Sequence, residues 1–319
     1  MPRIALGVDL GGTKIEVAAV DDAGEVIHRR RVQTPAGDAD AVAAAIVEAV
    51  AEIREQLSDE PVGVGVGVAG QVERDTGIVR FAPNLDWHDV PLGQSLEEAL
   101  GLRVVVLNDV RAVALGEWLS GAGRNTDDMV CVFVGTGIGG GIVSAGHLLE
   151  GCGNAAGEIG HMVVAMDGPA CHCGRVGCLE ALAGGWAIAR DAKEAATRRP
   201  DDAARLLEIA GNADAITAET VGQAYREKDA LAREIMDGVA RALTVGLANL
   251  VNTFNPCRLI LGGGVVDGVP ELVAQVRKGI EAEALESAQA KLEVTTAKLG
   301  SDAGVVGAAS ATLRRATQD

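Results

Sequence analysis

The sequence lacks the features that would place it in a membrane or send it out of the cell. No apolar run among its 319 residues is long enough to span a bilayer. Residues 1–9 lead directly into a strand-like segment, without the charged region, long apolar stretch and cleavage site of a signal peptide. We therefore expect a cytoplasmic protein with no membrane partner.

Basic residues, lysine above all, are scarce. The formal net charge is −17 with a pI near 4.7, and the chain has 6 lysines against 22 arginines. Nucleic-acid binding needs a basic surface, so this composition argues against a nucleic-acid partner. Acid excess with lysine depletion fits either a high-salt habitat or a GC-rich genome, and composition leaves both explanations open.

Cysteines are few, but half of them are clustered. Cys171, Cys173 and Cys178 lie within eight residues, and His161 precedes them. In a reducing cytosol, this pattern indicates metal ligation before disulfide bonding. Cys₃His is a structural zinc set with closed coordination, so we predict an ion that shapes a site and activates no water. His172 is a rival ligand, and the alternative is reduced cysteines without metal.

The length and the order of elements predict two domains. Strand and helix signals alternate along the chain, and a strand–turn–strand pattern near residue 9 recurs near residue 135. We predict a small N-terminal α/β domain over residues 1–115, joined by the last helix at about 303–319. Residues 116–302 would form a large α/β domain carrying the zinc cluster.

Residues 9–14, Asp-Leu-Gly-Gly-Thr-Lys, lie between two apolar strands. Glycines let the backbone approach a phosphate and donate its N–H groups, and an aspartate can hold magnesium through water. The spacing is not that of a P-loop, and the next element is a strand, which argues against a dinucleotide fingerprint. The alternative is a plain hairpin turn. The candidate phosphate-binding residues are Asp9, Gly11, Gly12, Thr13 and Lys14.

Two further glycine clusters follow strands. Gly135-Thr136-Gly137 repeats the strand–turn–strand arrangement, which suits a nucleotide whose phosphates are held by two glycine turns. Gly263 and Gly264 follow a strand at residues 258–261 and are candidates for contacting the adenine and ribose. Taken alone, that cluster is as well explained by a tight strand-to-helix turn.

Several polar residues are candidates for substrate chemistry. Asp109 ends a buried strand and opens a helix, where a carboxylate can accept a proton from a hydroxyl, although aspartate is also a common helix N-cap. Asn84 lies in a loop, and such loops often present side chains to ligands. Glu158 and Glu180 flank the cysteine cluster, and carboxylates accept paired hydroxyl donors.

Together these motifs resemble the ROK family (repressors, open reading frames and sugar kinases). The resemblance covers nearly the whole chain and is carried by four motifs in order. They are Asp-x-Gly-Gly-Thr-Lys at 9–14, Asn-Asp at 108–109, Gly-Thr-Gly-x-Gly-Gly-Gly at 135–141, and Glu-x-Gly-His with Cys-x-Cys-Gly-x-x-Gly-Cys-x-Glu at 158–180. Residues 81–92 look most like those of the family's bacterial ATP-dependent glucokinases.

The resemblance implies an actin-like (ribonuclease H-like) α/β fold with two lobes and a cleft that closes on sugar. It implies ATP-dependent phosphorylation of a hexose, with Asp109 as general base toward the 6-hydroxyl and Mg²⁺ accompanying ATP. Glucose is the expected acceptor, structural Zn²⁺ the expected metal, and a homodimer the expected assembly. Residues implied to hold the other sugar hydroxyls are Asn84, Asn108, Glu158, His161 and Glu180.

Some alternatives stay open. Where many relatives continue Asn-Asp with Ala-Asn, this chain has Val110-Arg111, so Arg111 either alters substrate choice or lies outside the site. N-acetylmannosamine and other hexoses are alternative acceptors. A sugar-binding regulatory protein is the non-enzymatic alternative; a repressor would carry a helix-turn-helix ahead of the phosphate motif, which here begins at residue 9.

Overall fold

The computed structural model describes residues 3–36 and 38–316. The chain forms two compact units. The first unit takes the chain up to Thr126, the segment Leu148–Gly157, and Lys298 onward; the second takes Asp127–His147 and Glu158–Ala297. The boundary predicted at 115/116 falls inside a helix of the first unit. None of the helices in the described ranges is long and apolar enough to cross a membrane.

The first unit contains two sheets and four helices in its described residues. A five-stranded sheet has the order β3-β2-β1-β4-β8. Strands β1, β4 and β8 run parallel, β2 pairs antiparallel with β1, and β3 pairs antiparallel with β2. A small antiparallel sheet has the order β5-β6-β7. The elements are β1 (Ile4–Leu10), β2 (Lys14–Asp21), β3 (Val26–Gln33), α1 (Ala39–Arg54), β4 (Val64–Val68), β5 (Gln71–Val72), β6 (Val79–Ala82), β7 (Trp87–Val90), α2 (Leu92–Leu100), β8 (Val104–Asn108), α3 (Asp109–Leu119) and α12 (Ala303–Arg315).

Glycines in β1 and β4 bring the last helix directly onto the sheet. A Cβ atom at Gly7 would lie 1.9 Å from the carbonyl oxygen of Val305, and one at Gly65 would lie 1.8 Å from that of Ala308. Both distances are far inside van der Waals contact, so only glycine allows α12 to pack so closely. Gly65 belongs to the alternation of valine and glycine at residues 62–68, which allows this close approach of α12 to β4.

The second unit is built around another five-stranded sheet, with the order β11-β10-β9-β12-β13. Strands β9 and β10 pair antiparallel, whereas β9, β12 and β13 are parallel. The elements are β9 (Met129–Val134), β10 (Ile138–Ser144), β11 (His147–Leu148), α4 (Leu179–Ala183), α5 (Gly185–Arg198), α6 (Ala204–Ala210), α7 (Ala218–Arg226), α8 (Ala230–Phe254), β12 (Arg258–Gly262), α9 (Gly264–Gly268), α10 (Glu271–Glu283), α11 (Glu286–Gln289) and β13 (Glu293–Thr296).

The predicted strand–turn–strand repeat is present in both units. Residues 11–13 connect β1 to β2, and residues 135–137 connect β9 to β10, so neither glycine turn opens a helix. Asn84 lies in the connection between β6 and β7 of the small sheet, which forms a 3₁₀ turn, Pro83–Leu85.

Candidate functional site

The carboxyl ends of three parallel strands gather polar side chains at one edge of the first sheet. Asp9 is near the end of β1 and Asn108 ends β8, with β4 between those strands. Asp109 is the first residue of α3 and follows Asn108 directly. Open α/β sheets bind ligands at the carboxyl ends of their strands, which makes this edge a candidate site.

Asn108, and not Asp109, is the N-cap of α3. Its side-chain oxygen accepts a hydrogen bond from the backbone N–H of Arg111 at 3.1 Å. Its amide nitrogen donates to the Gly70 carbonyl at 3.2 Å and to the Asp109 carboxylate at 3.0 Å. Asn108 thus takes the cap position, and its amide orients the Asp109 carboxylate, as a general base would require.

Asp9 lies in an environment that opposes its ionisation. Burial raises the pKa of Asp9 to about 6, and the charge of Asp109 adds to the shift while Lys14 lowers it. The first turn of α12 packs against this carboxylate, since a Cβ atom at Gly304 would lie 3.0 Å from the Asp9 Cγ atom. A cation here would relieve the unfavourable charge, which is what Mg²⁺ with a bound phosphate would provide.

The turn between β1 and β2 is held by hydrogen bonds at Gly11, whereas the residues after Gly11 are exposed to solvent. The Thr34 hydroxyl donates to the Gly11 carbonyl at 2.7 Å, and the Gly11 N–H donates to the Lys14 carbonyl at 3.0 Å. Gly12, like the two residues after it, is exposed. Asn84 lies beside this turn, because a Cβ atom at Gly12 would be 3.1 Å from the Asn84 carbonyl oxygen.

Arg111 lies within the first unit and does not project into solvent. It is 5% exposed, and its guanidinium donates to the side-chain and backbone oxygens of Asn154 and, at 3.3 Å, to the Ala156 carbonyl. The Asn154 amide in turn donates to the Val72 carbonyl at 2.7 Å. Arg111 therefore holds the segment Leu148–Gly157 in the first unit. The sequence showed that Arg111 departs from the family pattern, but no sequence pattern predicted Asn154 as its partner.

The second unit brings the predicted metal ligands together. One ligand atom from each of the four residues lies within 4.8 Å of all the others. Cys171 Sγ is 3.8 Å from His161 Nδ1, and Cys173 Sγ is 3.7 Å from Cys178 Sγ. A tetrahedral zinc site with Zn–S bonds of about 2.3 Å has ligand–ligand edges of about 3.8 Å, so the residues fit this ion.

None of the six cysteines, all of which lie in the described residues, forms a disulfide, and the pKa values of the clustered thiols are shifted. Burial raises the pKa of the Cys178 thiol to about 12 and also raises the pKa of Cys171, whereas a backbone hydrogen bond from Arg175 lowers that of Cys173. Thiolates are the form that binds metal, so a cation would have to displace protons here.

His172 is not a member of the cluster. Its ring stacks on the indole of Trp186, with the ring centroids 4.1 Å apart and the planes 24° apart. Trp186 is also packed against the buried group formed by Cys171, Cys178 and Ala181. His172 therefore stacks on Trp186 and does not join the candidate metal ligands, a contact that the sequence did not predict.

Glu180 joins the loop of candidate metal ligands at residues 171–178, here called the metal-binding loop, to the glycine turn between β9 and β10. One carboxylate oxygen accepts the backbone N–H of Ile138 at 2.9 Å, and the other accepts the indole N–H of Trp186 at 3.2 Å. A Cβ atom at Gly137 would lie 2.4 Å from this carboxylate. Each oxygen is oriented by one protein donor and has capacity left for a ligand hydroxyl.

Glu158 precedes and His161 ends a 3₁₀ turn, Ile159–His161, that packs on β10. The His161 N–H donates to the Glu158 carbonyl at 3.1 Å. A Cβ atom at Gly160 would be 2.1 Å from the Ile138 carbonyl oxygen, so glycine is required for this close contact. The turn consequently presents Glu158 beside the metal ligand His161.

A cavity of 840 Å³ lies in the second unit next to the glycine turn. Its lining includes three of the glycine-cluster residues, Gly135, Thr136 and Gly264, together with Trp186 and Lys193. Gly263, the residue before Gly264, has a φ of +94°. A Cβ atom added there would lie 2.6 Å from the Val134 carbonyl oxygen. Cavities of this size suit nucleotides and other small ligands.

Comparisons with known proteins agree with the motifs. A model of the ROK family matches residues 5–315. The glucokinase of Halalkalibacterium halodurans is 38% identical over 311 residues, which are 96% of this chain and 93% of that protein.

Solved structures match along the whole length. A ROK family glucokinase from Streptomyces griseus, in complex with glucose and AMPPNP, has a TM-score of 0.83 at 39% identity over 98% of this chain and 99% of that one. A ROK hexokinase from Thermus thermophilus has a TM-score of 0.85 at 32% identity and covers 100% of both chains. The predicted fold class is confirmed, and the family match together with these relatives establishes that the chain belongs to the ROK family.

Proposed function

We propose that this protein transfers the γ-phosphoryl group of ATP to the 6-hydroxyl of glucose. The observation that carries the proposal is the Asn108–Asp109 pair at the carboxyl edge of the first sheet, where the cap residue orients the following carboxylate. Relatives named glucokinase, one of them solved with glucose and AMPPNP, support glucose as the acceptor and ATP as the donor.

Asp109 accepts the proton of the 6-hydroxyl as that oxygen attacks the γ-phosphorus. Phosphoryl transfer needs little covalent chemistry from the protein, so positioning and charge neutralisation provide most of the rate. In the first unit, Asn84 and Asn108 contribute hydrogen bonds to sugar hydroxyls. In the second unit, Glu158, His161 and Glu180 do so, and the donors already on Glu180 fix the direction of its free lone pairs.

ATP occupies the cavity of the second unit, with its phosphates at the glycine turns. Gly135 and Thr136, which line the cavity, approach the phosphates together with Gly137, and Gly264, also in the lining, approaches the ribose and base together with Gly263. In the first unit, Asp9 with Gly11, Gly12, Thr13 and Lys14 receives the Mg²⁺-bound phosphates. Mg²⁺ accompanies ATP as part of that substrate.

Zinc is the metal we propose for His161, Cys171, Cys173 and Cys178. Four protein ligands leave no open position, so a bound zinc ion supplies structural cross-linking and no activated water. Because His161 both belongs to this set and adjoins Glu158, the cluster fixes the sugar-binding turn. We further propose that the protein is a cytoplasmic homodimer, which gel filtration with light scattering would test.

A coupled ADP-release assay with Mg-ATP against a hexose panel tests the proposal. We expect turnover with glucose, and a loss of several orders of magnitude in kcat for Asp109→Asn. Asp38→Asn is the matched control, because Asp38 caps α1 in the same unit and asparagine caps equally well. Turnover restricted to N-acetylmannosamine would keep the mechanism and replace the substrate. Sugar binding without turnover would favour a regulatory sugar-binding protein.

A further inference from the structure

Trp186 contacts all three candidate sites of the second unit. Its indole N–H donates to Glu180, its ring stacks on His172 of the metal-binding loop, and its side chain lines the cavity. Its backbone N–H also donates to the Thr136 carbonyl at 3.0 Å, in the glycine turn. Trp186 thus contacts the proposed sugar ligand Glu180, the metal-binding loop and the proposed phosphate-binding turn.

The contact between Trp186 and the metal-binding loop is made next to the ligand atoms. His172 lies between the ligands Cys171 and Cys173, and Trp186 also packs against buried Cys171 and Cys178. The guanidinium of Arg190, one helical turn further along α5, lies 5.2 Å from the Trp186 ring centroid. The indole is therefore held between the loop and its own helix, and the position of the loop decides the position of the ring.

The geometry points to a role that the metal ligands themselves cannot have. None of the four lines the cavity, yet the ring that packs on them does. We propose that Trp186 is a positioning residue through which metal binding at the Cys₃His cluster strengthens nucleotide binding in the cavity and holds Glu180 in place for the sugar. The inference rests on the proposed binding of ATP in this cavity.

Two substitutions separate the contact of Trp186 with Glu180 from its contact with His172. Trp186→Phe keeps an aromatic ring for stacking on His172 but removes the donor to Glu180, so sugar binding should suffer more than nucleotide binding. His172→Ala removes the stacking and keeps the indole N–H and all four metal ligands, so the link between metal and nucleotide should suffer more. Trp118→Phe is the matched control, since Trp118 lies in the first unit and donates its indole N–H to the Thr126 carbonyl at 2.8 Å.

The coupling is measured by titrating AMPPNP with Mg²⁺ calorimetrically into zinc-loaded and metal-free protein. For the wild type and for Trp118→Phe, we expect the Kd for AMPPNP to rise roughly tenfold on zinc removal, a common size of coupling between sites. In His172→Ala, zinc content should stay at one ion per chain while the ratio of the two Kd values falls toward one. Coupling is reciprocal, so saturating AMPPNP should lower the Kd for zinc, measured at equilibrium by competition with a chelator, roughly tenfold in the wild type and not in His172→Ala.

Sugar binding and fluorescence complete the test. Trp186→Phe should raise the Kd for glucose roughly tenfold, the contribution of one hydrogen bond to a charged group. The zinc-dependent change in tryptophan emission should be present in the wild type and Trp118→Phe and absent in Trp186→Phe. Equal AMPPNP affinity with and without zinc in folded wild-type protein would overturn the inference and leave the kinase proposal standing. No AMPPNP binding in any form would refute the nucleotide site itself.

Discussion

Asp9 and Asp109 lie close enough in the first unit for the charge of one carboxylate to oppose ionisation of the other. Burial is the larger cause, and together they raise the pKa of Asp9 to about 6. The protein without nucleotide thus carries a carboxylate whose charge is unfavourable at neutral pH. Such a site is prepared for a ligand that brings positive charge.

Replacing Asp9 should stabilise the nucleotide-free protein. Because the folded-state pKa lies above the value of 3.8 for an unperturbed side chain, the stability contributed by the protonated form is present below about pH 4 and is lost as pH rises through 6. We expect Asp9→Asn to raise the free energy of unfolding by about 1–3 kcal/mol at pH 7 and by almost nothing at pH 4. Urea denaturation at both pH values measures this. A variant that is less stable than the wild type at pH 7 would contradict it.

The same substitution should weaken binding of Mg-ATP. The asparagine has no charge to attract the magnesium ion, so the thermal stabilisation by Mg-AMPPNP should shrink while Asp9→Asn itself melts higher without ligand. Differential scanning fluorimetry with and without the nucleotide gives both quantities in one experiment. Equal ligand-induced shifts in the two proteins would remove Asp9 from the phosphate site.

Glu117 should be the most costly glutamate to replace in the first unit. Its side chain is 0% exposed, and its carboxylate accepts the backbone N–H groups of Ala122, Lys298 and Leu299 at 2.8 to 3.1 Å. Glu117→Ala would leave buried donors unsatisfied, and we expect a loss of about 3 kcal/mol or more in unfolding free energy. Chemical denaturation checks this against exposed Glu48→Gln, which should change stability by less than about 0.5 kcal/mol.

Arg111 and Asn154 should act as one unit. Arg111→Ala and Asn154→Ala both remove the hydrogen bond between the guanidinium and the Asn154 side-chain oxygen, so their effects on unfolding free energy should not fully add. A double-mutant cycle should give a coupling of about 1 kcal/mol or more. Arg80→Ala serves as control, because Arg80 pairs with Glu73 and Asp89 at the surface and such pairs contribute little. Additive effects would mean that the two residues stabilise the fold independently.

Removing the metal should affect stability and sugar binding together. Zinc titrated into metal-free protein should release about two or more protons per ion at pH 7, measured from the dependence of binding heat on buffer ionisation. Cys171→Ser should lose zinc, melt lower and bind glucose more weakly. Cys257→Ser, an exposed cysteine outside the cluster, should do none of these. Unchanged glucose affinity in verified metal-free protein would limit zinc to a structural role elsewhere.

The sequence predicted the features that depend on local spacing. The two glycine turns are recognisable because a turn between strands needs particular residues within a few positions, and the metal ligands because three cysteines must converge on one ion. Asn108 and Asp109 were predicted at the end of a strand, although their exact division into cap and first helical residue was not.

Contacts between distant segments were beyond the reach of sequence patterns. The pairing of Arg111 with Asn154, 43 positions apart, depends on Leu148–Gly157 returning to the first unit. The stacking of His172 on Trp186 likewise depends on how the metal-binding loop packs on α5. Neither residue pair has a local pattern that distinguishes it from surface side chains, so only the packed structure identifies the contacts.

The placement of α12 sets an order of events during synthesis. Gly7 and Gly65 lie in strands translated early, yet the helix that covers them is the last one in the described residues. While the ribosome is still making the second unit, the part of the first sheet that α12 covers has no helix on it. The second unit is continuous apart from the short excursion at Leu148–Gly157 and can complete its sheet once β13 has emerged. Part of the first unit therefore cannot complete its packing until the second unit has been synthesised.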